Sequence, residues 1–207
     1  QQPAANSARR LSDMTWELGL ASNQSLYQYS WGTVLADFNN DRHADLFIGN
    51  GAPIIDMDSP YATVAQLDEL LVNWGGQADH QSKQFMAMPF AANRPSPTRG
   101  VVSADFNHDG KIDVLTTQNN DFVRLLINRS ELSRSWIGIA LKSRGYSPLG
   151  AYIHLKDIDP PLTKTYFAKT GYLSQSTDRL HFAVPENNPS IDIEVHWPDG
   201  HRTEHTN

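Results

Sequence analysis

Short apolar runs, each broken by Gly, Asn, Asp or Pro, set the rhythm of the chain as far as Ser130. They fall at 33–36, 46–48, 70–72, 101–104, 114–116 and 122–127. Runs this short, bounded by turn-forming residues, predict β-strands. The stretch 67–72 also reads as a short helix. The segment 51–63, with Asp56, Asp58 and Pro60, predicts a long loop, and Pro95 and Pro97 mark an exposed link. After Ser130 the strand candidates lengthen: 136–142, 151–158, 163–169, 179–184 and 191–197. In the last of these, Ile191, Ile193, Val195 and Trp197 alternate with Asp192, Glu194 and His196, the pattern of a half-buried strand. Trp197-Pro198-Asp199-Gly200 predicts a turn into a final strand. The change of pattern places a boundary near 131–135, so that 1–130 and 131–207 form separate regions.

An internal repeat runs through the first region. "WGTVLADFNNDRHADLF", residues 31–47, shifted by 68 positions, lies on "RGVVSADFNHDGKIDVL". Between Gly32 and Asp45, eight of fourteen positions are then identical. A repeat settles architecture before any local reading does. Here it predicts an all-β chain with two similar units. The C-terminal region is expected to form a β-sandwich-like domain.

Charge sharpens the picture. The chain carries 23 acidic and 17 basic residues, a formal net charge of −6. The repeated loops hold six aspartates: Asp37, Asp41, Asp45, Asp105, Asp109 and Asp113. Without them acids and bases balance at 17 each. Three carboxylates packed into so short a loop repel one another unless a cation sits among them. Calcium, a hard ion taking six to eight oxygens, suits the D-x-N-x-D-x-x-x-D spacing. Its expected ligands are Asp37, Asn39, Asp41, the His43 carbonyl and Asp45 in one loop. In the other they are Asp105, Asn107, Asp109, the Lys111 carbonyl and Asp113. Gly110 permits the left-handed turn in the second loop, whereas Arg42 occupies that position in the first. The spacing resembles the first half of an EF-hand loop, but position 12, Ile48 or Thr116, is not acidic. Two Ca2+ sites of this open kind suit the millimolar calcium outside cells, so a secreted or extracytoplasmic location is expected.

Other classes are disfavoured. There is no basic excess for nucleic acid. No apolar run approaches the roughly 18 residues that a membrane helix needs. The opening residues lack the apolar stretch of a signal peptide. With no cysteine, disulfides, c-type haem and thiolate metal sites are excluded. No hydrolase, metalloprotease, nucleotide-binding or dinucleotide-binding fingerprint occurs.

The loops resemble FG-GAP or VCBS-type repeats, the calcium-loop blades of β-propellers, which implies β-propeller-type blades; two units cannot close a ring, because closure takes about four to eight blades. "SWIGIALKS", "GYLSQSTDRLHFAV" and "IEVHWPDG" resemble the ASPIC/UnbV domain that follows such repeats in cartilage-acidic-protein-like proteins. "LSDMTWELGL", 11–20, is similar to the lead-in that precedes a blade there. Departures are Arg42, "HFAVP" in place of Phe-Gly-Leu-Gly, and the presence of only two Asp loops. The Asp loops and the lack of any catalytic constellation point to a calcium-stabilised, non-catalytic binding or assembly module. Its partners would be other protein chains, copies of itself or glycan. The alternative is a carbohydrate-active enzyme of lyase or dehydratase type, with Asp56, Asp58 or His181 as acid–base candidates. Tyr172 and Gln175 in "GYLSQ" suit either sugar recognition or a structural turn. His181 suits a satisfied structural histidine. His201 and His205 suit a surface tail better than a metal site. Asn23 and Asn128 open glycosylation sequons.

Overall fold

The computed structural model describes residues 11–21, 27–53, 65–75, 83–91, 93–131, 134–142, 147–156, 158–167, 171–186 and 190–206. It is almost entirely β, in several antiparallel sheets, none closed on itself. A short helix α1 (Thr15–Leu18) in the lead-in segment precedes the first sheet.

Strands β1 (Ser30–Ala36), β2 (Asp45–Asn50), β3 (Glu69–Asn73) and β4 (Phe85–Ala87) form a four-stranded meander in that order. The register pairs Val34 with Phe47 and Phe47 with Leu70. Side chains alternate along a strand, so these three share one face. Strands β5 (Thr98–Ala104), β6 (Asp113–Gln118) and β7 (Arg124–Leu126) repeat the arrangement, with Val114 between Ser103 and Leu126. The two inward faces meet in one core of Val34, Phe38, Phe47, Val101, Ile112 and Val114. Gly32 lets β1 approach β5 closely: a Cβ there would stand 2.7 Å from the Val101 backbone nitrogen. The opposite face of the second sheet carries Val102, Leu115 and Leu125 in register, and Leu125 is 49% exposed.

The stretch 67–72 holds no helix; its residues from Glu69 on belong to strand β3. Leu70, Leu71 and Val72 are consecutive apolar residues at covered positions, Leu71 fully buried. A run buried on both faces has no period to separate the two readings.

The C-terminal region is a two-sheet sandwich. Strands β8 (Ser135–Ala140) and β11 (Arg179–Val184) pair antiparallel. Strands β9 (Tyr152–Leu155), β10 (Leu162–Thr165), β12 (Ile193–His196) and β13 (Arg202–His205) form the other sheet, in the order β10-β9-β12-β13. Ile153, Leu155 and Val195 from one sheet pack with Phe182, Val184, Ile137 and Ile139 from the other. Alternation along β11 sends Leu180, Phe182 and Val184 into this core. Arg179, His181 and Ala183 go to the opposite face, and His181 there reaches the first Asp loop.

The segment 171–177 covers the inner edge of β5. The Thr177 N–H donates to the Ser103 carbonyl (3.2 Å), and the Ser103 N–H donates to Ser176 Oγ (3.0 Å). An open strand edge is a liability unless something pairs with it, and here the chain covers one with its own C-terminal region.

Candidate functional site: the paired Asp loops and the cleft behind them

The two loops are built by the same hydrogen bonds. In the first, Asp37 accepts from the Asp41 N–H (2.9 Å) and the Arg42 N–H (2.8 Å). Asn39 Oδ1 accepts from the Asp41 N–H, and Asp41 from the His43 N–H (2.8 Å). In the second, Asp105 accepts from Asp109 and Gly110, Asn107 from Asp109, and Asp109 from the Lys111 N–H. Asx side chains that take up nearby backbone donors are the standard way such turns hold their shape.

Asp45 and Asp113 act differently. Both are fully buried. Asp45 accepts from the Phe38 N–H (2.8 Å) and the Asn73 N–H (2.8 Å). Asp113 accepts from the Phe106 N–H (2.9 Å) and the Asn128 N–H (2.7 Å). Each carboxylate therefore ties the start of its loop to the end of the third strand of its sheet. Asn73 and Asn128 complete the tie by donating to the Ala44 and Ile112 carbonyls. They sit in "LLVN" (70–73) and "LLIN" (125–128), a signal open to sequence reading, but the extra residues in the first unit shift the alignment and hide it.

The left-handed turn predicted for the loops is present in both, with φ of 84° at Gly110 and 80° at Arg42. A non-glycine residue there costs about 1–2 kcal/mol. The Arg42 guanidinium donates to the Asp159 carbonyl (2.9 Å), which directs its charge to the C-terminal region. At Gly110 an added Cβ would overlap the Trp136 indole.

For calcium the donor chemistry fits. Each loop offers carboxylate, amide and carbonyl oxygens, and an oxygen that accepts one N–H retains a second lone pair. Burial pushes the Asp45 carboxyl up to about 6, and the Asp41 and Asp37 carboxylates add to the shift. Burial also raises Asp37, again with Asp41 contributing. A cation would relieve that repulsion. Among the described residues, however, no three His, Asp or Glu side chains stand grouped as a ready metal site. Asp37 and Asp45 turn their oxygens to backbone N–H groups instead.

The loops abut the sandwich. Asn40, buried and at φ 55°, donates to the Gly110 carbonyl (3.3 Å), and its Oδ1 lies 2.9 Å from His181 Nε2. His181 stacks on Trp136, with centroids 5.6 Å apart and planes 18° apart. Lys164 donates to the His181 carbonyl (2.6 Å) and lies 5.3 Å from the Phe182 ring centroid. Behind the first loop a cleft of about 770 Å³ opens between β1, β10 and β11. Asn40, Trp136, Lys164 and Arg179 were not identifiable as partners from sequence, since each meets its neighbours across long chain separations.

The remaining candidates separate cleanly. His181 is held by Asn40 and Trp136, as a structural histidine is. Tyr172 packs edge-on against Trp31 at 5.3 Å, and Arg99 covers the Trp31 ring at 4.6 Å, so "GYLSQ" builds structure. His201 pairs with Asp199 and stacks on Trp197, just before β13, while His205 lies at the end of β13. Asp56, Asp58 and Asn23 lie outside the described residues. Asn128 serves as the latch described above.

The fold thus defines a class: a pair of similar open β-sheets with Asp loops, joined to a β-sandwich. A sequence model of the family described as ASPIC and UnbV matches residues 143–207, 65 of the 207 residues. No curated protein matches the chain.

Proposed function

We propose that the chain is a calcium-stabilised, extracytoplasmic binding or assembly module without catalysis, whose region 1–130 consists of FG-GAP/VCBS-type repeats. The observation that carries this reading is the duplicated loop. The two repeated segments fold into the same hydrogen-bonded turn, each with three aspartates. In the first, burial raises the carboxyls of Asp37 and Asp45, and the neighbouring Asp41 carboxylate adds to both shifts. Asp37, Asn39, Asp41, Asp45 and the His43 carbonyl would hold one ion. Asp105, Asn107, Asp109, Asp113 and the Lys111 carbonyl would hold the other. The ions would neutralise the loops and brace the surface beside them. Partners would be other chains, copies of this chain or glycan. The ASPIC and UnbV match over 143–207 supports a module of this family type.

Calcium should raise the melting temperature by several degrees over chelator, and magnesium should do less, because it demands rigid six-fold geometry. An ion binding only the folded state adds about 1.5–3 kcal/mol at roughly ten to a hundred times its Kd. Identical melting curves with calcium and with chelator would overturn the calcium assignment and leave the Asx turns as self-sufficient.

A further inference from the structure

We propose that the cleft between the first Asp loop and the sandwich binds an acidic oligosaccharide through its carboxylate groups. The inference rests on the reading of the chain as a binding module and names the ligand class of one surface. Its first support is charge. The protein is acidic overall, at −6, yet the charged residues lining this cleft are Arg42, Lys164 and Arg179 against the single acid Asp37. Among the described residues none of the three cations forms an ion pair with a carboxylate. Arg42 and Lys164 donate to neutral carbonyls, of Asp159 and His181, which leaves the cleft a net positive charge. A cleft of one sign with low-dielectric walls concentrates ligands of the other sign.

The second support is the positioning of these cations. Gly138 lies opposite His181 in the β8–β11 pair. A Cβ at Gly138 would stand 2.6 Å from Arg179 Cδ, so the glycine leaves a track for the arginine stem. The stem packs against Gly138, and Arg179 is among the residues lining the cleft. Lys164 is anchored at β11 by its bond to His181 and by the Phe182 ring. These cations are therefore held by the scaffold before any ligand arrives.

The third support is the rest of the wall. Phe167, 65% exposed, lines the cleft together with Thr33, Thr165 and Thr177. Cations for carboxylates, threonines for hydroxyls and an uncovered aromatic ring for a pyranose face suit a polyhydroxy acid. A volume near 770 Å³ lies within the roughly 300–1,000 Å³ of small-ligand sites, enough for a short oligosaccharide.

The test is calorimetric titration of the full chain with trigalacturonate, galacturonate, neutral maltotriose and a hexaglutamate peptide. Trigalacturonate should bind, more weakly as salt rises, and at least about tenfold more tightly than maltotriose. Arg179→Gln and Phe167→Ala, both at exposed positions, should each weaken it about five- to tenfold, with melting temperatures unchanged. That loss corresponds to about 1–1.4 kcal/mol. No binding of trigalacturonate at millimolar concentration by folded protein overturns the proposal, as does binding indifferent to both substitutions. Galacturonate binding as tightly as the trimer, or hexaglutamate binding more tightly, replaces the oligosaccharide with a free acid or an acidic peptide and likewise overturns it. Melting in chelator reads the calcium assignment separately, so the two proposals fail independently.

Discussion

Asp113→Ala is expected to destabilise the protein by about 2–5 kcal/mol even in chelator, whereas Asp109→Ala in the same loop costs under about 1 kcal/mol there. The two aspartates belong to one motif and read alike in it, but they meet different surroundings. Asp109 is exposed and bonds only within its own turn. Asp113 is fully buried, and its two oxygens take the N–H groups of Phe106 and Asn128, across 7 and 15 residues. Removing it strands two donors. Each unsatisfied buried polar group costs about 1–3 kcal/mol, reduced where water reaches the Phe106 side. Adding calcium should widen the loss at Asp109, because ligation is then removed as well. Urea unfolding of both variants with and without calcium separates the roles. Equal costs for the two variants in chelator would show that Asp113 is no latch and that the last aspartate of the motif matters only through the ion.

The contrast bears on what a sequence can reveal. The Asp loops were legible because their information is local: residue types at fixed spacing between strands, printed twice. The turn at Arg42 was legible for the same reason, since the aligned Gly110 announced a left-handed backbone. The latch was not, because Asn73 and Asn128 follow their aspartates at different distances, 28 and 15 residues, and a fixed-offset comparison misses them. Strand β4 escaped because so short a segment, Phe85–Ala87, carries no readable period. The strands of the sandwich were legible by alternation, and the two faces of β11 were not. Leu180, Phe182 and Val184 announce a core, but nothing in Arg179 or His181 says that their face meets an Asp loop from the distant first sheet. The edge-covering role of 171–177 was equally hidden, since Ser176 and Thr177 look like any polar turn until β5 is placed beside them. Local chemistry survives in one dimension; docking between regions does not.

That docking carries the second large prediction, an acid sensitivity centred on His181. Burial is the main reason its imidazole is pushed down to about 4; the neighbouring Lys164 ammonium adds to this and Asp105 opposes it. The ring is therefore neutral at pH 7. Its Nε2 then carries the proton donated to Asn40 Oδ1, because the amide oxygen only accepts. An unfolded histidine takes up its proton near 6.5. Between about 6.5 and 4 the unfolded chain binds more protons than the folded one, so stability is lost as the pH falls through that window and is complete above it. A difference of about 2.5 pH units is worth about 3 kcal/mol at full extent. Burial raises the carboxyls of Asp37, Asp45 and Asp68. They stabilise the fold on acidification, so the total pH curve mixes opposite signs and the histidine must be read by difference. His181→Gln keeps an N–H for Asn40 and removes the titration. Urea unfolding in chelator at pH 7, 5.5 and 4.5 should show the wild type losing about 2–3 kcal/mol relative to His181→Gln over that range. Trp136, stacked on the ring, should report the same loosening in its fluorescence. Parallel stability curves for the two proteins would mean that His181 charges without opening its contact with Asn40, and that the seam between the Asp loops and the sandwich is held by other groups.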